Sequence, residues 1–300
     1  FFVQPMGSTS YSLMLLLRFA AGRLSVTPSQ IDLVQIDVPL ILAFLTDLEK
    51  GRGNTARTRN ARLAAIKAFF RYLEYREPHS IEQARQIHGI PLKKTDEGLV
   101  AYLNREEIQA LLDAPDASTA FGLRDRAMLH VAYACGLRVA ELVSLCLDQL
   151  DSQTPPSIRV IGKGRRERVL PLWKETATAV NAWLKIRQAH GAEEIFPNTG
   201  GRAMTRAGFE YILDKHVGTA RKKQPSMTKK HVTPHVLRDT CAMHILPATG
   251  DIRKVSLWLG HASIQSTEIY LRADPTEKLD ALAMGYPRRS GGANSKGPTS

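Results

Sequence analysis

The feature that most limits what this chain can fold into is a stretch where its patterning fails. Residues 89–103 (GIPLKKTDEGLVAYL) combine glycine, proline and a charged run with neither helical nor alternating periodicity, and they divide the chain. Before that break every readable pattern is helical. Residues 31–50 carry Leu33, Ile36, Leu40, Leu45 and Leu48 at mixed helical spacing and close on Gly51. Residues 54–76 predict the clearest helix, with Asn54 or Thr55 as its cap and Leu63, Ile66, Phe70 and Leu73 along one side. The opposite side carries Arg57, Asn60, Ala64, Lys67 and Arg71. Small alanines between cations and an amide suit close approach to a DNA groove, although a solvated amphipathic face accounts for the same pattern.

Beyond the break the pattern is mixed. Asn104-Arg-Glu-Glu predicts a capped helix start, and 119–135 predicts another helix. A strand–turn–strand follows, at Ser157 to Ile161, Gly162-Lys163-Gly164-Arg165, and Arg166 to Leu170. Further helices are expected near 174–190, 205–220, 234–246, 251–259, 263–270 and 275–284. The fold class is therefore mainly α. A helical bundle over 1–90 is joined by a linker at 91–103 to an α+β domain with a small antiparallel sheet over 104–286. The tail 287–300 has no apolar content and is expected to be disordered. A length of 300 residues suits two domains.

Charge narrows the partner. A formal net charge of +12 favours a polyanion, nucleic acid before membrane. The longest apolar run, Leu13 to Leu17, stops at Arg18 and is far too short to span a bilayer. Cys135, Cys146 and Cys241 form no CxxC pair and are odd in number, which predicts a reduced, cytoplasmic protein rather than a disulfide framework. The chain opens on Phe1, so the start of translation is expected at Met6 or upstream.

Several residues have the character of a reactive site. Arg138 follows a glycine break at a helix start, with Glu141 three residues on; it suits an oxyanion or a structural ion pair equally. Lys163 sits at the tip of a Gly-Lys-Gly turn beside Arg165, Arg166 and Arg168, where a proton donor to a leaving oxygen and a solvated basic turn both fit. His235 and Arg238 stand at i and i+3 behind Pro234, in the first helical turn. His261 follows Leu259-Gly260, and Tyr270 lies nine residues further. Each alone also reads as ordinary surface or core.

Taken in order, Arg, Lys, His-x-x-Arg, His, Tyr resembles the tyrosine recombinases, at the level of Xer-type and phage or transposon integrases. The resemblance lies in AYACGLRVAELVSLCLDQLD (132–151), IRVIGKGRRERVLPL (158–172), TPHVLRDTCAMHI (233–245) and, most specifically, DIRKVSLWLGHASIQSTEIYLR (251–272). The N-terminal stretch TARTRNARLAAIKAFFRYL looks more loosely like that family's core-binding, SAM-like bundle.

The resemblance implies a site-specific recombinase or integrase that cleaves and rejoins double-stranded DNA through a 3′-phosphotyrosyl intermediate, without metal, ATP or other cofactor. Arg138, Arg238 and His261 would hold the scissile phosphate. Lys163 would protonate the 5′ oxygen, His235 would assist proton transfer at the tyrosine oxygen, and Tyr270 would attack, helped to ionise by the surrounding cations. Arg57, Asn60, Lys67, Arg71, Arg165 and Arg166 would contact DNA. The protein would be a free monomer and a tetramer on synapsed DNA, tied by the 275–284 helix, in the cytoplasm of a bacterium and associated with its nucleoid. Asp239 stands where the family usually has His, and Pro247 is expected to interrupt a helix that the family keeps running. Asp239 would pair with Arg238 and weaken its hold on an anion. The rival readings are a type IB topoisomerase-like enzyme and a catalytically decayed mobile-element remnant that still binds DNA.

Overall fold

In the computed structural model the described residues are 8–95, 98–151, 153, 155–162, 167–187 and 192–273. The chain divides into two compact units, one up to Gly98 and one from Leu99. The change of unit falls inside the patternless stretch.

The first unit contains α1 (Ser8–Leu24), α2 (Val38–Thr46), α3 (Ala56–Arg76) and α4 (Ile81–His88). Residues 31–50, read as helical with mixed spacing, begin with a 3-10 turn at Leu33–Gln35. The α-helix starts only at Val38, because the Asp37 carboxylate caps it by accepting the Leu40 N–H at 2.8 Å. A single wide turn, Asp47–Gly51, then extends it. In α3 the Thr55 hydroxyl is the cap, and Leu63, Ile66 and Phe70 are fully buried. Each such burial contributes about 1.5–3 kcal/mol, and Phe44, Ile41 and Leu45 of α2 complete the same core.

The other side of α3 departs from expectation at two residues. Asn60 clamps the chain after α4, its Nδ2 donating to the Lys93 carbonyl at 2.8 Å and its Oδ1 accepting the Lys93 N–H at 3.0 Å. The Lys67 ammonium donates to the His88 and Ile90 carbonyls at 2.9 and 2.6 Å. It thereby holds the end of α4, where carbonyls have no partner within the helix. Burial and the neighbouring Arg59 charge lower the Lys67 pKa. These two side chains, read as DNA contacts, are engaged within the unit, whereas Arg57 and Arg71 are exposed.

The second unit contains α5 (Arg105–Leu112), α6 (Ala120–Ala134), α7 (Val139–Val143), β1 (Leu150–Asp151), β2 (Ser157–Ile161), β3 (Glu167–Pro171), α8 (Lys174–Ile186), α9 (Arg206–Lys223), α10 (Pro234–Thr249), α11 (Ile252–Leu259) and α12 (Glu268–Ala273). The end of the stretch read as a linker is built into this unit. Leu103 is fully buried and its N–H donates to the Thr240 hydroxyl at 3.0 Å. Asn104 then forms a reciprocal capping box with Glu107.

The sheet is antiparallel in the order β1-β2-β3, with Ile158 opposite Leu170 and Val160 opposite Arg168. The expected hairpin is present and gains the short β1. Its tip, Lys163 with Arg165 and Arg166, lies outside the described residues, as do the 275–284 segment and the tail.

α6 is buried almost all round and runs through the centre of the unit's core. Two of its polar residues are paired inside: Asp125 accepts from Arg124 at 2.7 Å and lies 2.9 Å from His216 Nε2. Burial alone would raise the Asp125 pKa, but the His216 and Arg124 hydrogen bonds bring it below the ordinary value.

α10 corrects a further expectation. It continues past Pro247 to Thr249 and closes on Gly250 at φ +61°, whose N–H donates to the Leu246 carbonyl at 2.8 Å. Pro247 is exposed in the last turn, where its missing N–H forfeits one helical bond without stopping the helix. No helix among the described residues is long and apolar enough to cross a membrane.

Candidate active site

The site grows from the ends of three helices. α6 ends at Ala134, and Gly136 just beyond it, at a φ of +55°, turns the chain so that Arg138 becomes the residue before α7. The side chain of Glu141, one turn into α7, reaches back to Arg138. It accepts the Arg138 backbone N–H and its Nη1, both at 3.0 Å. Glu141 also binds Arg168 of β3, with Nη2 donating at 2.8 Å and Nη1 at 3.3 Å. Burial pushes the Glu141 pKa up, but hydrogen bonds from Arg168 and Arg138 hold it below the ordinary carboxylate value. One carboxylate thus fixes two guanidiniums, leaving Arg138 44% exposed and Arg168 at 11%.

Arg238 lies one turn into α10 and is buried, at 3% exposure. Its Nη1 donates to the Gly136 carbonyl at 2.5 Å and its Nη2 to the Leu259 carbonyl at 2.7 Å. These are the negative ends of α6 and α11, good partners for a cation. A guanidinium has five donors, so these bonds leave others for an anion. Burial and then the Arg138 charge lower the Arg238 pKa to about 10, which keeps it protonated at neutral pH. Asp239, expected to pair with Arg238, does not: the guanidinium is held by carbonyls.

α11 ends on Gly260 at φ +64°, where a Cβ would lie 2.9 Å from Arg168 Nη1. Trp258 Nε1 ties the same helix to the Ala134 carbonyl of α6 at 3.0 Å. His261 follows directly, its Nδ1 2.8 Å from the Thr267 hydroxyl and its ring stacked on Tyr270 with centroids 6.4 Å apart. Burial, then Arg238 and Arg138, lower the His261 pKa to about 4, so the imidazole is neutral at working pH.

Tyr270 of α12 is 2% exposed, and its hydroxyl donates to Asp239 Oδ1 at 2.8 Å. His235 does not take that position. It is 77% exposed, with Nε2 3.9 Å from Asp239 Oδ2. Burial first, then the Asp239 charge and hydrogen bond, push the Tyr270 pKa well above its ordinary value, against the opposing pull of Arg238. The help expected from surrounding cations comes from Arg238, and in the absence of DNA it is outweighed by burial and Asp239. Burial raises the Asp239 pKa as well, in spite of His235 and the Tyr270 hydrogen bond.

Five of the six expected residues therefore meet through a connected set of contacts, and Lys163 lies outside the described residues. Sequence reasoning missed the roles of Arg168, Thr267 and Asp239. Strand alternation carried a signal for Arg168, which shares a face of β3 with buried Leu170.

A helical second unit with a three-stranded sheet and this cluster of cations around a tyrosine defines the class. The chain belongs to the phage integrase family, whose profile matches residues 101–277. It is a site-specific tyrosine recombinase, an enzyme that cuts and rejoins DNA. It is 44% identical over 272 residues to a protein of Sinorhizobium fredii described as an integrase/recombinase, y4rC, covering 91% of this chain and 82% of that one. It is 34% identical over 278 residues to the tyrosine recombinase XerD of Listeria monocytogenes, covering 91% and 90%. Its fold is similar to that of the Tn1549 transposon integrase solved in complex with a circular intermediate DNA, with a TM-score of 0.69 at 18% identity over 95% of each chain.

Proposed function

We propose that Tyr270 is the nucleophile, forming a 3′-phosphotyrosyl bond. Arg138 and Arg238 hold the non-bridging oxygens of the scissile phosphate, and His261 donates a further hydrogen bond. Lys163 protonates the leaving 5′ oxygen. The observation that carries this reading is the double anchoring of Arg238 on the Gly136 and Leu259 carbonyls, because those helix ends lead directly into Arg138 and His261. Preorganised positive charge of this kind stabilises a five-coordinate phosphorane-like transition state without reorganisation during the reaction. A neutral His261 fits its role as a donor that carries no net charge.

DNA is held in this reading by Arg57 and Arg71 on α3 in the unit before Gly98, acting as a core-binding domain, and by Arg165 and Arg166 at the hairpin tip. Exchange between two duplexes, each cut twice, needs four sites, so the working form is a tetramer on DNA and the free form a monomer. The 275–284 segment ties protomers together. The setting is the bacterial cytoplasm. The test is Tyr270→Phe on a nicked suicide substrate. Covalent attachment is expected to vanish while half-site binding stays within about twofold of wild type, since only one hydroxyl is removed. An adduct that persists in this variant removes Tyr270 from the role.

A further inference from the structure

In the contacts described above, the atom that must lose a proton is not bonded to the residue that the family pattern assigns to the task. Tyr270 Oη donates to Asp239 Oδ1 at 2.8 Å, within the range of a charge-assisted bond. The second oxygen of the same carboxylate faces His235 Nε2 at 3.9 Å. Tyrosine, carboxylate and imidazole thus form a line from a buried hydroxyl to the surface, with exposures of 2%, 13% and 77% along it.

We propose that Asp239 is the general base that takes the Tyr270 proton during attack on the DNA phosphate and returns it during rejoining, with His235 positioning the carboxylate. In the forward step the Tyr270 O–H bond breaks and its proton passes to Asp239 Oδ1. The released electron pair forms the bond to phosphorus. The 5′ oxygen departs with the pair of the broken P–O bond and takes a proton from an acid, Lys163 in the reading above. In reverse, the 5′ hydroxyl gives its proton back to that acid and attacks. The tyrosine oxygen leaves and collects the proton held as the Asp239 carboxylic acid. Proton number is unchanged over the cycle.

The surroundings suit this role. The charged groups that act on Asp239 are His235 and Arg238 of its own α10, and Tyr270 of α12 faces it. The Arg238 charge opposes the upward shift of the carboxylate, but its guanidinium is bonded to carbonyls and burial outweighs it. Asp239 is therefore an acceptor with an elevated proton affinity, and a base closer to working pH transfers protons more effectively. The tyrosine beside it is hard to ionise in advance. Deprotonation in concert with attack is the route this geometry leaves open.

The inference rests on Tyr270 being the nucleophile. Its test is single-turnover cleavage of the suicide substrate by Asp239→Asn, Asp239→Glu and Tyr270→Phe, with half-site binding measured in parallel. Asp239→Asn keeps the size and a hydrogen-bond acceptor but cannot take the proton. Its cleavage rate is expected to fall about a hundredfold with binding unchanged. Asp239→Glu, which keeps the carboxylate, is expected to recover part of that loss. Wild-type cleavage should rise with pH through an ionisation that the Asn variant lacks. Equal rates for the Asn and Glu variants, or an Asn variant as fast as wild type, overturn the proposal and leave Asp239 a restraint on the tyrosine. If an Asn variant binds poorly, the wild-type pH profile still decides: cleavage with no carboxylate-range inflection also overturns it. Persistence of the adduct in Tyr270→Phe would instead overturn the nucleophile assignment.

Discussion

Gly136→Ala offers a quantitative test of how the site is braced. The φ of +55° places this residue in the left-handed region, where a side chain costs about 1–2 kcal/mol. The added Cβ would also lie 2.6 Å from Leu259 Cδ2 and 3.2 Å from Cys241 Sγ. Overpacking of that kind adds about 1–3 kcal/mol, for a total of about 2–5 kcal/mol. Gly250→Ala is the matched control: its φ is +61° with nothing within 4 Å, so only the backbone cost of about 1–2 kcal/mol applies. Urea unfolding followed by tryptophan fluorescence reads the second unit alone, because all three tryptophans, Trp173, Trp183 and Trp258, belong to it. The Gly136 variant should be the less stable by at least about 1 kcal/mol. It should also cleave more slowly, since the Gly136 carbonyl holds Arg238. Equal unfolding midpoints for the two variants would refute the packing argument, and unimpaired cleavage by Gly136→Ala would refute the bracing.

Three other outcomes follow from particular side chains. Replacing Arg57 and Arg71 by Ala should reduce the slope of log affinity against log salt by about 1.8, or about 0.9 per lost phosphate contact. Lys67→Ala should lower the stability of the first unit instead, and an unchanged slope in the arginine double variant would return that face of α3 to plain solvation. His130 is 6% exposed with no hydrogen-bond partner at Nε2, and burial followed by Arg126 lowers its pKa to about 4 from 6.5. The unfolded chain therefore binds this proton first as pH falls, so stability is lost between pH 6.5 and about 4 and the loss is complete below that window. The gap amounts to about 3 kcal/mol. His130→Phe should flatten the stability profile by one proton across the window, and urea midpoints at pH 7 and 4.5 that shift as in wild type would exclude His130 as the source.

The helices that were legible are those whose own side chains settle their fate. α3 declared itself through Leu63, Ile66, Phe70 and Leu73, and α5 through Asn104 and Glu107. α4 was not legible: in eight residues it buries only Ala84 and Ile87, too few for a period to show. For the site, residue order was enough to nominate Arg138, His235, Arg238, His261 and Tyr270. What order could not supply was the acceptor of each hydrogen bond. Asp239 read as a lesion beside Arg238 because they are sequence neighbours, yet on a helix adjacent residues point about 100° apart. Its true partner, Tyr270, is 31 residues away. The internal bonds of Asn60 and Lys67 were hidden for a similar reason, since the carbonyls they hold come from the end of α4 and the segment after it.

The double grip of Arg238 has a consequence for how such genes age. Its guanidinium spans two helix ends, so a copy released from selection for cutting DNA would still need it for as long as the protein must fold. His235 has no such second employment. Largely exposed, with Nε2 3.9 Å from the Asp239 carboxylate, it would be among the first positions to drift. Across a population of degenerating copies, retention of Arg238 would then mark a chain that still folds, while retention of His235 would mark one that still works.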